Sequence, residues 1–91
     1  MQIRWTFNAA EDMEHIWDYL RAHHPEFAER TVRKVYDEIR TLAQTPRLGR
    51  IGRESGTREL VISGLPYIAV YRVKDETVEV LHIFHGAQDR S

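Results

Sequence analysis

Polar and apolar side chains alternate along the opening run Gln2-Ile3-Arg4-Trp5-Thr6-Phe7 with the period of two of a half-buried strand. Ile3, Trp5 and Phe7 fall on one face. The period then lengthens: Ala9, Met13, Ile16, Trp17 and Leu20 recur at helical spacing, and Asn8 three residues before Glu11 resembles a capping box, so a helix is predicted from there. His23-His24-Pro25 ends it, and the histidines read as a helix C-cap and turn. Pro25 and Glu26 suit the first turn of a second helix, whose stripe is Ala28, Val32, Val35, Tyr36, Ile39, Leu42 and Ala43 and whose end is Thr45-Pro46. Gly49, Gly52 and Gly56 punctuate an irregular connection. Three strands are predicted beyond it, Arg58 to Ile62, Tyr67 to Val73 and Val78 to Phe84, joined by Ser63-Gly64-Leu65-Pro66 and Lys74-Asp75-Glu76-Thr77 at hairpin lengths. The order defines an α+β fold: an N-terminal strand, a two-helix antiparallel hairpin, then a three-stranded antiparallel sheet, as a single domain over residues 1–91.

The last two predicted strands are apolar on both faces. Tyr67, Ala69, Tyr71 and Val73 alternate with Ile68, Val70 and Arg72; Val78, Val80, His82 and Phe84 alternate with Leu81 and Ile83. One helical hairpin covers one face of a sheet, whereas strands apolar on both sides are normally covered on both. The second face is therefore expected to be an interaction site for another protein.

Composition sharpens this expectation. With 91 residues, 42% hydrophobic and 30% charged, the chain has the balance of one small globular domain with a marginal core. No stretch approaches the ~20 apolar residues of a membrane span, no signal sequence is recognisable, and a cytoplasmic protein without membrane contact is expected. The absence of cysteine excludes disulfides and thiolate chemistry, so packing or a partner must supply stability. The net charge of −1 argues against a nucleic-acid protein, but it is unevenly spread. Arg47, Arg50, Arg53 and Arg58 face only Glu54 between residues 44 and 58, and arginine forks pair with phosphates or carboxylates alike.

Self-contained catalysis has little support. His82 and His85 lie three apart on a predicted strand, an odd separation that sends them to opposite faces and argues against a shared metal ion. No metal or cofactor is expected. Ser55, Ser63 and Ser91 lie in no nucleophile motif, and Gly49-Arg50-Ile51-Gly52-Arg53 lacks the strand and Lys-Ser/Thr of a phosphate loop. Glu11, Asp12, Glu14 and Asp18 read as a solvated helix face. A ribonuclease would have to be built from Arg58, Arg72, His85 and Arg90, stabilising charge and moving protons on a phosphodiester.

The ordered series Trp17-Asp18-Tyr19-Leu20, Pro46-Arg47-Leu48-Gly49-Arg50, Gly56-Thr57-Arg58-Glu59-Leu60, Pro66-Tyr67-Ile68, Tyr71-Arg72-Val73 and His85-Gly86-Ala87-Gln88-Asp89 resembles the RelE/ParE toxin superfamily across essentially the whole chain. The resemblance implies a growth-inhibiting toxin of a type II toxin–antitoxin module. Its antitoxin would wrap the toxin's sheet and helices, giving a hetero-oligomer. RelE-like members cut messenger RNA on the ribosome and ParE-like members poison DNA gyrase; the shared scaffold does not choose between them. Here the basic sheet positions of the RNA-cleaving branch correspond to Glu59, Val61 and Ile68, and no tyrosine stands near Ser91. The closing motif is similar to that of ParE-like members, with Gln88 in place of arginine. A ParE-like toxin acting on gyrase is the leading expectation, with the ribosome-dependent endonuclease and a non-toxic antitoxin-binding member as alternatives. Antitoxin contacts are expected at Ile68, Val70, Leu81 and Ile83 with Arg47, Arg50 and Arg53, and target contacts at His85, Gly86, Gln88, Asp89 and Arg90.

Overall fold

The computed structural model describes residues 1–86, so the expectations placed on Gln88, Asp89 and Arg90 lie outside the described residues. The elements are β1 (Gln2–Trp5), α1 (Phe7–His23), α2 (Pro25–Arg40) with a 3-10 turn at Thr41–Ala43, β2 (Arg50–Ile51), β3 (Arg58–Val61), β4 (Tyr67–Lys74) and β5 (Thr77–His85). They form a five-stranded sheet of order β1-β5-β4-β3-β2. The α+β order read from the sequence holds, and β3, β4 and β5 are the antiparallel meander it implies. Two features extend it: β1 joins β5 in parallel, and the arginine-rich connection supplies β2, an edge strand two residues long.

The first helix starts earlier than the Asn8 cap suggests. Thr6 leaves the strand with its N–H bonded to Val80 O, and its Oγ1 accepts from Ala9 N–H at 3.2 Å, making Thr6 the N-cap. The hydroxyl also donates to Val80 O at 2.9 Å, so one side chain ends the β1–β5 pairing and begins α1. At the other end His24 caps α1, its N–H bonded to Leu20 O, and Pro25 opens α2.

The core lies between the hairpin and one sheet face. Ala9, Met13, Val35, Ile39 and Leu42 meet Leu60, Ile62, Tyr67, Ala69, Tyr71, Val78, Val80 and Ile83, with Ile3, Trp5, Ile16 and Val32 at its margin. Ile83 belongs to this list because β5 carries a bulge: Val70 faces His82 but Tyr71 faces Val80, leaving Leu81 as the extra residue. A bulge reverses the alternation of side chains along a strand. Val78 and Val80 therefore share the core face with Ile83 and His85, not with His82 and Phe84 as strict alternation requires.

Candidate protein-interaction site

The sheet face turned away from the helices carries Glu59 and Val61 from β3, Ile68, Val70 and Arg72 from β4, and Glu79, His82 and Phe84 from β5. Two of these are buried carboxylates, Glu59 at 5% and Glu79 at 3% exposure. Burial of a charge is costly unless it is paired. Glu79 is held from both sides: Arg72 Nε donates to Oε1 at 2.5 Å, and Arg4 pairs with Oε2. Glu59 accepts from Arg50 Nη2 at 3.1 Å and from the Arg53 N–H at 3.3 Å. Next to Glu59, on the side away from Glu79, lies a row of the exposed Val61 and the half-buried Ile68 and Phe84, with Val70 buried beside them.

The arginine-rich connection is tied down by Tyr71, which reaches through the core face to the segment before β2. Its hydroxyl donates to Pro46 O at 2.6 Å and accepts from Gly49 N–H at 2.9 Å. A Cβ at Gly49 would lie 2.7 Å from the Tyr71 ring and 2.9 Å from Glu59 O, so only glycine permits this approach. Burial raises the Tyr71 pKa above the ordinary 10.0, against the opposing pull of the Gly49 N–H and the Arg58 guanidinium. Arg58 completes the anchor by donating from Nη1 to Gly49 O at 2.8 Å and Arg47 O at 3.4 Å.

Two grooves flank the sheet. One, of about 550 Å³, runs over the open face among Thr6, Asp12, Glu54, Val70, His82 and Phe84. Asp12 reaches into it from α1: its Oδ2 accepts the Ile83 N–H at 2.9 Å, beyond the point where β1 stops pairing, and lies 3.4 Å from His82 Nδ1. The other, of about 920 Å³, lies on the helical side, between the hairpin and the residues around Pro66. His85 sits at its end, edge-on to Tyr67 at 5.7 Å between ring centroids. Burial and then Tyr19 raise the Tyr67 pKa above 10.0.

Of the residues of the RNA-cleaving alternative, the three that are described, Arg58, Arg72 and His85, do not converge. Arg72 is on the open face, while Arg58 and His85 are on the helical side. Arg58 faces Tyr71 and His85 faces Tyr67, four residues apart along β4 or about 13 Å at ~3.3 Å per residue. Of the residues expected to hold an antitoxin, Ile68 and Val70 share the open face, Leu81 is the half-buried bulge residue, and Arg47, Arg50 and Arg53 are exposed near the β2 edge. Ile83 does not join them: at 3% exposure it packs under α1, and the bulge is the reason. Sequence reasoning missed Phe84, which takes the place assigned to Ile83, and Val61. It also missed the buried Glu59 and Glu79, although two acids in otherwise apolar strands were a signal. His82 and His85 do point to opposite faces, the bulge lying before both. Among the described residues no helix is long and apolar enough to cross a membrane.

A strand, a helical hairpin and an antiparallel meander of this order define a toxin domain of the RelE/ParE kind. The family model for the ParE toxin of the type II toxin–antitoxin system parDE matches residues 3–90, and the chain belongs to that family. It is 38% identical over 87 residues to the putative toxin Y4kP of Sinorhizobium fredii, covering 96% of this chain and 90% of the relative. Toxin RelE2 of Caulobacter vibrioides is 33% identical over 87 residues, covering 96% and 97%. Among solved structures, one of the chromosomal ParDE system of P. aeruginosa matches with a TM-score of 0.87 at 30% identity, covering 93% of this chain and 95% of that one. The protein is thus a toxin of a type II toxin–antitoxin system.

Proposed function

We propose that this toxin acts by binding, with DNA gyrase as its target, and that a cognate antitoxin holds it inactive by covering the open sheet face. The observation that carries the first part is the state of the arginines a ribonuclease would need. Arg72 is committed to the buried Glu79, Arg58 to two loop carbonyls, and the two stand on opposite faces of the sheet. Stabilising a phosphorane requires donors that converge on one point. On the open face the guanidinium groups of Arg4, Arg72 and Arg50 are instead engaged by the buried Glu79 and Glu59, which leaves them less free to take a phosphodiester. The match to the ParE family supports gyrase over messenger RNA.

For the antitoxin, Val61, Ile68 and Phe84 offer apolar anchors, with Val70 and Leu81 beside them. Arg47, Arg50 and Arg53 supply a cationic rim for acidic residues. Such anchors supply most of an interface's affinity, whereas the rim sets association rate and specificity. On the target side, His85 and Gly86, with Gln88, Asp89 and Arg90 beyond them, remain the proposed contacts.

Purified toxin added to gyrase and supercoiled plasmid should produce linear DNA, and the antitoxin should suppress it. The same toxin added to a translation reaction should leave the message intact. Cleaved message with intact plasmid would replace this reading by the ribosome-dependent endonuclease. If neither substrate is cut by a folded, antitoxin-binding toxin, the chain is a non-toxic member.

A further inference from the structure

The connection between α2 and β3 carries a three-residue repeat. Residues 47–53 read Arg-Leu-Gly-Arg-Ile-Gly-Arg: a cation, an apolar residue and a glycine, twice over, closed by a third cation. The glycines stand where the backbone touches the domain. Gly49 lies against the Tyr71 ring, and Gly52 donates its N–H to Thr57 O at 2.8 Å, where a Cβ would stand 2.9 Å from that oxygen. The side chains between them are left in solvent. Leu48 is 59% and Ile51 74% exposed, and Arg47, Arg50 and Arg53 are exposed as well.

The backbone of this segment is fastened at three points: Tyr71 holds Pro46 O and the Gly49 N–H, Arg58 holds Gly49 O, and Glu59 takes the Arg53 N–H. Glu59 also takes the Arg50 guanidinium, at 3.1 Å. Arg47 and Arg53 differ. Among the described residues neither side chain forms an ion pair, and Glu54 is the one acid between residues 44 and 58. Two free guanidiniums thus flank two exposed aliphatic side chains on an anchored backbone.

We infer that this ribbon binds double-stranded DNA, with Arg47 and Arg53 on backbone phosphates and Leu48 and Ile51 laid into the minor groove. Arginine forks match phosphate oxygens. Proteins that enter the minor groove combine arginines with aliphatic wedges, leucine and isoleucine among them, that part a base step. Single strands are held instead by aromatic side chains stacked on the bases, and residues 44–58 contain no aromatic residue. The same arginines form the rim proposed for acidic residues of the antitoxin, since carboxylate and phosphate use one fork. The inference concerns the free toxin and does not depend on gyrase being the target.

The test uses the full chain and a fluorescein-labelled A·T-rich DNA duplex, read by fluorescence anisotropy from low to physiological salt, with the single strand and the matching RNA duplex alongside. The DNA duplex should bind at least fivefold more tightly than either. Two phosphate contacts give log K against log salt a slope of about −2. Arg47→Gln with Arg53→Gln should weaken binding at least tenfold and flatten that slope. Arg33→Gln with Arg40→Gln removes the same charge from exposed positions of α2 and should change binding less than twofold, with circular dichroism verifying that each variant is folded. A 2-aminopurine base in the duplex should brighten on binding the wild type and stay dark with Leu48→Ser and Ile51→Ser combined. The proposal is overturned by failure to bind the DNA duplex, by tighter binding of the single strand or the RNA, or by equal losses from the two arginine pairs. A 2-aminopurine signal that stays dark with the wild type overturns it too.

Discussion

Tyr71 shows how much one side chain does here. It fills the core beneath the sheet and also fastens the arginine-rich connection through Pro46 and Gly49. Tyr71→Phe keeps the ring but leaves a buried N–H unpaired, a loss of about 1–3 kcal/mol. For a domain of this size that lowers Tm by roughly 4–24 °C in a thermal melt. Gly49→Ala should cost at least as much, because its Cβ would collide with ring and backbone together. The hydroxyl also makes stability pH-dependent. Burial raises the pKa values of Tyr71 and Tyr67 in the fold, so the folded state disfavours the phenolate. Their contribution is fully present below the unfolded value of 10.0 and is lost as pH rises through the folded values. Melts at pH 8 to 11 should show stability falling above pH 10, with a shallower fall in Tyr71→Phe. The apolar alternation of β4 revealed that Tyr71 faces the core, but not its bond to Gly49, which closes a contact 22 residues away.

At the level of elements, the legible part was whatever local periodicity encodes. Both helices, the His24-Pro25 break between them and the β3–β4–β5 meander follow from spacing, capping and turn chemistry. What was not legible depends on pairing between distant segments. The β5 bulge is invisible in Thr77 to His85 alone, because the run reads as alternating in either register. Edge strand β2 exists only because Arg50 and Ile51 find Glu59 and Arg58 across a connection full of glycine. Thr6 displaced Asn8 as the cap because its N–H and hydroxyl are bound to Val80, a residue 74 positions later. The bulge makes a prediction of its own. Deleting Leu81 removes the extra residue and leaves Val78, Val80 and Ile83 on the core face by strict alternation, so the deletion variant should still show a cooperative transition in a denaturant titration, and loss of that transition would contradict the bulge. The β4–β5 turn makes a milder one. Asp75 and Glu76 both have positive φ, 52° and 59°, in the two-residue connection that favours Asn-Gly. Glu76→Gly should therefore raise stability by about 1 kcal/mol, measured by denaturant titration.

At the scale of the whole molecule, the toxin is a small domain with one core beneath the helices and a sheet face whose buried carboxylates are paired internally. Reading that face from sequence succeeded in finding Ile68 and Val70 and failed for Ile83, since one inserted residue exchanges the faces of everything after it. A fold this small is marginal alone, and a partner that binds only the folded state stabilises it by about 2.7 kcal/mol at a hundredfold excess over Kd. Saturating antitoxin should accordingly raise Tm, and Ile68→Asp should remove the increase while leaving the Tm of the free toxin nearly unchanged. Whether toxicity comes from binding or from RNA cleavage is decided by mapping messenger RNA 5′ ends genome-wide in cells induced for the wild-type toxin and for His85→Ala, with folding and antitoxin binding verified for both. Growth arrest with no new codon-phased ends is expected in both strains, with His85→Ala reducing toxicity no more than the loss of one contact. Abundant codon-phased cuts in wild-type cells, abolished by His85→Ala in a folded and antitoxin-binding protein, would contradict it and make the chain a ribosome-dependent endonuclease.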